Sequence, residues 1–198
     1  LGLAVYNTGY QKCDGQHTWG PASRDHYLVH YVSAGRGTFT CAGRTHALAE
    51  GELFLICPSQ VAGYAADREE PWEYCWVGFN GTEAGRLLSL AGFSRETPVL
   101  RPPHPEGLKE MLLHIYRSGG NTPAADADMV GYLYLFISAL MKETSETRPH
   151  NASSSNQYVL NAIKYIQFNY SHDISIDDVA KSVGVSRSHL YRVFKVGG

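Results

Sequence analysis

Between Ile174 and Lys195 the sequence runs I-S-I-D-D-V-A-K-S-V-G-V-S-R-S-H-L-Y-R-V-F-K, and this pattern predicts two short helices joined by a tight turn. Ser175 can cap the first helix, and Asp178 stands three residues later, at the second position of a capping box. Gly184 follows where that helix should end, because glycine adopts the left-handed conformation of a helix end at little cost. The order is that of a helix-turn-helix.

Apolar residues in this stretch recur at helical spacing and predict which face of each helix is buried. Ala180 is small at the point where two helices would have to cross closely, and Ser186 can cap the second helix. We expect the buried residues to be Ile176, Val179, Ala180 and Val183 in the first helix and Leu190, Val193 and Phe194 in the second.

The opposite face of the second helix has the side chains that a DNA major groove requires. Arg192 could form two hydrogen bonds with a guanine edge, whereas Arg187 and Lys195 could meet phosphates. No acidic residue follows Asp178 to repel the duplex. The alternative is a small helical hairpin whose basic face is only solvated. The predicted outward residues are Ser188, Tyr191, Arg192 and Lys195.

The chain has 198 residues, 43% of them hydrophobic, and a formal net charge of −2. Any affinity for nucleic acid must therefore come from a local patch. No apolar run approaches the roughly 18 residues of a membrane span and no signal peptide is visible, so we expect a cytoplasmic protein without a membrane partner. Because the chain begins without methionine and stops soon after the second helix, we expect a fragment.

The cysteines lack C-x-x-C spacing and are expected to be free thiols: Cys13, Cys41, Cys57 and Cys75.

Residues 1 to about 80 predict β-structure. Short runs rich in branched and aromatic residues recur roughly every ten residues, separated by Gly, Pro and Asn, which favours a barrel or double-sheet jelly roll. Turns are expected at Gly35–Gly37 and Ala42–Gly43. The predicted strands are Tyr27–Val32, Thr38–Cys41, Leu53–Cys57 and Trp72–Phe79.

Helical periodicity replaces this pattern in the middle of the chain, at Thr82–Ala91, Pro105–Arg117 and Asp126–Lys142. These helices would cover the barrel and could also form a dimer interface, although core packing is the favoured role. A polar stretch, 144–156, predicts an interdomain linker. A further helix ending near Asn169 follows it, with an apolar stripe of Val159, Ile163, Ile166 and Tyr170.

The predicted fold class is therefore α+β. An N-terminal β-barrel domain with its covering helices would occupy 1–143, the linker 144–156, and an all-α helix-turn-helix segment 157–198. A free-standing domain as small as the last segment would be marginal, so it should pack on something or be half of a larger domain.

This order of parts resembles the AraC family of bacterial transcription activators, whose N-terminal domain is a cupin-type barrel. V-S-R-S-H-L-Y-R-V-F-K is similar to the family's first recognition helix. R-D-H-Y-L-V-H-Y-V, G-R-G, G-E-L-F-L-I-C-P and P-W-E-Y-C-W-V-G-F are similar to sugar-responsive members from Gram-positive bacteria. The family's DNA-binding domain has two helix-turn-helix motifs, and only the first is present here.

The resemblance implies a sugar-responsive transcription regulator that acts as a homodimer and binds DNA. By position, the base contacts would be Ser188, Tyr191 and Arg192. The phosphate contacts would be Ser186, Arg187, His189 and Lys195.

A sugar or related small molecule would lie inside the barrel. Strand alternation places Tyr74, Trp76 and Gly78 on one side of their strand. By position in the family, Tyr64, Tyr74 and Trp76 would line the sugar site, because aromatic rings pack on the apolar faces of sugars. Buried Tyr hydroxyls and a buried Trp N–H need partners, which a polyol supplies. Further contacts are expected from His17, Trp19 and Arg24.

A small cupin metalloenzyme with an accessory helical domain is the competing interpretation, and a pure dimerisation module is a third. A metal cupin needs three or four converging ligands, commonly from an H-x-H motif, a nearby Glu and a later His. The chain has no H-x-H, and Ser59–Gly63 stands where the first ligands are expected. The sequence therefore predicts no metal site, cofactor or catalytic residue.

Overall fold

The computed structural model describes residues 2–145 and 154–196. The chain forms two compact units, Leu1–Thr147 and Arg148–Gly198. The central part of the predicted linker, 146–153, lies outside the described residues. Its first two residues, 144 and 145, end one helix, and its last three, 154–156, begin another.

Two antiparallel sheets form the first unit. The strands of the described part are β1 (Ala4–Lys12), β2 (Thr18–Ala22), β3 (Tyr27–Ala34), β4 (Arg36–Cys41), β5 (Arg44–Ala49), β6 (Leu53–Ile56), β7 (Ala62–Ala66), β8 (Glu73–Asn80) and β9 (Val99–Leu100). One sheet has the order β1-β8-β3-β6-β9 and the other β2-β7-β4-β5. Apolar residues of both sheets share one buried cluster, so the sheets pack face to face. The predicted cupin-like barrel and its four strands are confirmed.

The five-stranded sheet is buried on both faces. Tyr74 belongs to the cluster between the two sheets, whereas the next residue, Cys75, belongs to the cluster against the helices. The predicted alternation of β8 is therefore confirmed. Every residue of Leu53–Ile56 is buried, which explains why the central strands are nearly continuous apolar runs.

Two glycines near the start of β4 have different roles. Gly35 has a φ of 68° and makes the turn from β3. Gly37 already lies in β4, where a Cβ would come within 2.4 Å of the Trp72 ring. The turn predicted over Gly35–Gly37 is thus shorter than expected. Gly37 belongs to the strand, where the absence of a Cβ allows the Trp72 indole to pack on it.

Three helices cover the outer face of the five-stranded sheet: α1 (Ala84–Leu90), α2 (Glu106–Arg117) and α3 (Pro123–Ser145). Residues of α3 are buried against this layer, including Leu133, Phe136, Ile137 and Leu140. This helix is also long and apolar enough to cross a membrane by length and composition, the only such helix among residues 2–145 and 154–196. It packs against α2, α1 and β1, but only 28% of its most apolar 18-residue window is buried.

The second unit is a three-helix cluster that contains the predicted helix-turn-helix. Its helices are α4 (Ser154–Asn169), α5 (Ile176–Ser182) and α6 (Arg187–Val196). The Ser175 hydroxyl accepts a hydrogen bond from the Asp178 N–H at 3.2 Å, and the Asp178 carboxylate accepts one from the Ser175 N–H at 2.9 Å. Gly184 is left-handed, with a φ of 73°. The predicted capping box and turn are confirmed.

Some residues that were expected to be buried in this unit are exposed. Its core consists of Ala162, Val179, Ala180 and Leu190, and Val193 is also buried. Ile176 is 56% exposed and Phe194 is 39% exposed. The predictions that these two side chains point inward were wrong, because the face of the motif that packs on Ala162 of α4 is formed by Val179, Ala180 and Leu190.

The apolar stripe of α4 likewise lies on a different side from the helix's packed face. Ile163 and Ile166 are 38% and 39% exposed, and Tyr170, just beyond the helix, is 79% exposed. Ala162 and Tyr165 make the contacts with the core instead. The helix thus has apolar residues on two faces, and spacing alone does not indicate which one packs.

Replacing Ser175 with alanine should destabilise the second unit by about 1 kcal/mol, because the Asp178 N–H at the start of α5 would lose its acceptor. Hydrogen exchange of the α5 amides would measure this loss. Ser188→Ala, at an exposed position of α6, is the control and should change stability by less than about 0.5 kcal/mol. Equal exchange in both variants would contradict a stabilising cap.

Candidate functional site

A cavity of about 330 Å³ opens between the two sheets of the barrel. It contains all six side chains that the sequence suggested as ligand contacts: His17, Trp19, Arg24, Tyr64, Tyr74 and Trp76. Five lining residues were not anticipated: Asn7, Gln11, His26, Leu28 and His30. Asn7 and Gln11 escaped notice because β1, a polar strand with weak β-propensity, was not predicted individually.

Strand pairing explains how these residues meet. Trp19 of β2 pairs with Tyr64 of β7, and their rings stack with centroids 5.2 Å apart. His30 of β3 pairs with Trp76 of β8. Gly9 of β1 pairs with Trp76 from the other side, and a Cβ on Gly9 would come within 2.3 Å of the indole. The glycine therefore leaves the space that the Trp76 ring occupies.

A closed ring of hydrogen bonds lies on one side of the cavity. With the Gln11 amide oriented as in the structure, its N–H donates to His17 Nδ1 at 3.4 Å. His17 Nε2–H donates to the Tyr74 hydroxyl at 3.0 Å, and that hydroxyl donates to Gln11 Oε1 at 3.2 Å. The Tyr64 hydroxyl lies 3.4 Å from that of Tyr74 and can donate to it. The donors and acceptors of this side are thus largely matched within the protein.

A second hydrogen-bonded chain starts at the Trp76 indole. Its Nε1–H donates to Asn7 Oδ1 at 3.1 Å, the Asn7 amide donates to His26 Nε2 at 3.1 Å, and His26 Nδ1–H donates to Asp25 at 2.7 Å. The expectation that a bound polyol is needed to satisfy the Tyr74 hydroxyl and the Trp76 N–H is therefore wrong. Protein groups satisfy both.

The cavity has little charge. Arg24 is the only Arg, Lys, Asp or Glu among its lining residues in the described structure, and its guanidinium lies 4.8 Å from the centre of the Trp19 ring. Burial raises the pKa of Tyr64 and that of Tyr74, so both remain neutral phenols. Aromatic faces and neutral hydrogen-bonding groups suit a ligand that is polar but uncharged.

Among the larger grooves elsewhere on the first unit, two have volumes of about 610 and 910 Å³. The first is lined mainly by small and charged residues around Arg44 and Arg95, and the second by residues around Asp14 and Arg68. No Trp, Tyr or Phe lines either groove in the part of the chain that the structure describes. Both grooves are larger than the barrel cavity, but they lack the aromatic rings that would select a particular kind of ligand.

Metal ligands do not converge in the described residues, where no group of three or more His, Cys, Asp or Glu side chains could hold an ion. The cysteines are free, as predicted, and they are buried: Cys13, Cys41, Cys57 and Cys75. Burial raises the pKa of each thiol, which disfavours the reactive thiolate.

The outward face of α6 is the second candidate site. The side chains of Ser188, Tyr191, Arg192 and Lys195 are exposed on one side of the helix, and Tyr191 is 68% exposed. Among the side chains that the structure describes in residues 158–195, none forms an ion pair or hydrogen bond with Arg192 or Lys195. These cations are therefore available to an external partner.

The other α6 candidates already have partners. Ser186 caps the helix, accepting a hydrogen bond from the His189 N–H at 3.2 Å. The His189 ring packs edge-on against Tyr158 of α4, with centroids 5.6 Å apart. Arg187 forms an exposed ion pair with Asp177 of α5 at 3.6 Å. The sequence did not indicate this acid, because Asp177 precedes the motif's second helix by ten residues but lies beside it in space.

The chain has a barrel with an internal cavity, followed by a helix-turn-helix. This domain organisation is typical of a ligand-sensing regulator. The family model described as the AraC-like ligand binding domain matches residues 5–137. That of bacterial regulatory helix-turn-helix proteins of the AraC family matches residues 166–195. The chain belongs to the AraC family.

Three curated relatives regulate operons. The Msm operon regulatory protein of Streptococcus mutans serotype c is 31% identical over 197 residues, covering 98% of this chain and 70% of the relative. The lactose operon transcription activator of Staphylococcus xylosus is 29% identical over 170 residues, covering 85% and 61%. The raffinose operon transcriptional regulatory protein of Pediococcus pentosaceus is 32% identical over 198 residues, covering 94% and 69%. The chain thus spans between 61% and 70% of these relatives' lengths.

Proposed function

We propose that this chain is the sensing part and the first DNA-contacting part of a cytoplasmic, sugar-responsive transcription regulator. The barrel would bind a neutral saccharide in the cavity between the sheets. The observation that carries the proposal is the cavity's composition: stacked aromatic rings beside a closed, uncharged ring of hydrogen-bonding groups. Two relatives named for lactose and raffinose operons support the same class of ligand.

The geometry fits a saccharide in two ways. Trp76 and the stacked pair of Trp19 and Tyr64 present apolar faces, on which the C–H faces of a sugar ring pack. The Tyr64 hydroxyl retains acceptor capacity, because in the network its proton is directed to Tyr74. A volume of about 330 Å³ lies at the lower end of the usual range of ligand cavities, which suits a small saccharide.

Trp76→Ala should abolish saccharide binding, since it removes one of the two indole rings of the cavity. Calorimetry and thermal-shift measurements with lactose, raffinose, galactose and glucose would test this. At least one sugar should stabilise the unchanged protein, and none should stabilise the variant. Tyr116→Ala, on an α2 residue that is 48% exposed and outside the cavity, is the control and should bind normally. Stoichiometric iron, manganese or zinc in the purified protein, without any sugar binding, would favour a cupin enzyme instead.

The DNA-contacting surface would be the outward face of α6. Ser188, Tyr191 and Arg192 are assigned to bases, and Lys195 to phosphate, with smaller contributions from the partnered Ser186, Arg187 and His189. The two unpaired cations support this division, because a free guanidinium can form two hydrogen bonds with guanine, whereas a free ammonium is a point charge.

Arg192→Ala should cost about 1–3 kcal/mol of discrimination at a single base position in the full-length protein. Lys195→Ala should weaken binding to all sequences alike and reduce the salt dependence by about one phosphate contact. Selection from randomised DNA, followed by anisotropy titrations at several salt concentrations, would separate the two effects. An unchanged base preference in Arg192→Ala would remove this residue from base recognition.

Regulation would require the sugar to bind two arrangements of the regulator with different affinities, because only such a difference can shift their populations. Homodimerisation and activation of transcription belong to the same proposal. Exposed apolar side chains on α3, among them Leu135 at 56% and Tyr134 at 42%, support a dimer interface there. Sedimentation of the unchanged protein and of Leu135→Glu would test it.

A further inference from the structure

One imidazole in the barrel cavity has no part in either hydrogen-bonded network. His30 lines the cavity and is 1% exposed. Its ring stacks on Phe54 with centroids 4.3 Å apart and planes inclined by 5°. The rings of Tyr64 and Tyr74 meet it edge-on, each at 5.2 Å. Four aromatic contacts, including Trp76 at 6.3 Å, hold the imidazole in one orientation.

The hydrogen-bonding capacity of this ring is not met by the protein. In the part of the chain that the structure describes, only two buried side-chain polar atoms lack a partner: His30 Nδ1 and Trp72 Nε1. Trp72 does not line the cavity, whereas His30 does. Buried polar groups without partners are rare and call for an explanation, which a polar ligand in the cavity would supply for His30. Among the cavity residues, His30 therefore has a buried polar atom that a ligand could satisfy, whereas Tyr74 and Trp76 already have protein partners.

The protonation state of His30 determines the kind of group that fits it. Burial, assisted by the charge of Arg24, lowers the pKa of this imidazole to about 3. The ring is therefore neutral in ordinary conditions and has one N–H donor and one nitrogen acceptor. A hydroxyl can serve either nitrogen, since it both donates and accepts, and it carries no charge that must be desolvated.

We propose that His30 is a specificity-determining residue, whose imidazole hydrogen-bonds to one hydroxyl of a neutral saccharide at the aromatic floor of the cavity. The inference rests on the proposed sugar-binding function and adds a contact and a selection rule to it. A buried group that is built to bond a hydroxyl discriminates strongly against the analogue that lacks it, because the group is then left unpaired. An apolar floor would tolerate the same loss.

The test compares the unchanged protein with His30→Phe, which keeps the stacking ring but removes both nitrogens. Calorimetry would use lactose, raffinose and galactose, together with the monodeoxy forms of galactose. In the unchanged protein, one deoxy form should bind about tenfold more weakly than galactose, as expected for one hydrogen bond. His30→Phe should bind galactose about tenfold more weakly and should no longer distinguish that deoxy form. His30→Gln, which retains a donor and an acceptor, should recover part of the affinity.

A measurement without substitution keeps the inference testable if His30→Phe does not fold. In protein labelled with ¹⁵N at histidine, the resonances of a neutral ring that does not titrate between pH 8 and pH 5 should shift when the sugar is added. Sugar binding with unchanged discrimination in His30→Phe, or without any such shift, would overturn the role of His30 but leave the sugar-binding proposal standing. Failure of all the saccharides to bind the unchanged protein would overturn both.

Discussion

Replacing Phe54 with alanine is expected to lower the free energy of unfolding of the first unit by about 3–5 kcal/mol. The Phe54 side chain is fully buried in the cluster between the two sheets. Its ring stacks on His30 at 4.3 Å, on Phe39 at 4.7 Å and on Trp72 at 5.8 Å. Because β6 is hydrogen-bonded into its sheet, these neighbours cannot collapse far enough to fill the space.

Urea denaturation followed by tryptophan fluorescence would measure this loss. Tyr116→Ala, on a half-exposed residue of α2, is the matched control and should cost less than about 1 kcal/mol. Phe54→Ala should also weaken sugar binding, since the cavity floor behind His30 would lose its support. A loss of stability near that of the control would mean that the sheets repack, and that Phe54 does not fix the floor.

The barrel was predictable because the five-stranded sheet is covered on both faces. Its central strands, β3 and β6, are therefore nearly continuous apolar runs that end at Gly and Pro. The strands that were missed individually are β1, β2, β5, β7 and β9. β1, β2, β5 and β7 contain residues of weak β-propensity, among them glycine, alanine, asparagine and proline, whereas β9 has only two residues. Pairing with neighbouring strands holds all five in place.

The candidate site was predictable in its rings and less so in its hydrogen bonds. Strand alternation placed Tyr74 and Trp76 on the cavity side, and the structure has them there. Their polar partners, Gln11 and Asn7, come from a strand more than sixty residues away in sequence, so no local pattern indicates them. His30 lies within an apolar strand, where a histidine is easily taken for an ordinary core residue.

In the second unit, sequence patterns that span a few residues predicted the structure correctly, whereas contacts between distant residues could not be predicted. The bonds of the capping box between Ser175 and Asp178 span three residues, so the sequence contains them entirely. Which face of α4 is buried depends instead on the fit of Ala162 against residues about twenty positions further on. Helical spacing identifies an apolar stripe, but it does not identify the neighbour that covers it.

Lowering the pH from 6.5 towards 5 should destabilise the first unit through His30. Burial lowers the pKa of this imidazole to about 3, below its ordinary value of 6.5, so between these values the unfolded chain binds a proton that the folded chain does not. The contribution of the neutral His30 ring to the free energy of unfolding is fully present above pH 6.5. It is lost as the pH falls, at up to about 1.4 kcal/mol per pH unit. The carboxyl groups of Asp25, Asp67, Glu73 and Glu96, whose pKa values are lowered from 3.8 or 4.5, contribute only at still lower pH.

Urea denaturation at pH 7.5, 6.5, 5.5 and 5.0 would measure the slope, and His30→Gln should reduce it because glutamine does not titrate. Tyr64 and Tyr74, whose rings contact His30, remain neutral across this range because burial raises the pKa of both phenols. His104→Gln, on an exposed loop before α2, is the control and should keep the slope of the unchanged protein. A saturating sugar should raise stability at every pH without protonating His30, because its hydroxyl bonds the neutral ring. An equal slope in His30→Gln and the unchanged protein would show that the imidazole is charged or hydrated in the folded state, which would contradict the neutral hydrogen-bonding role.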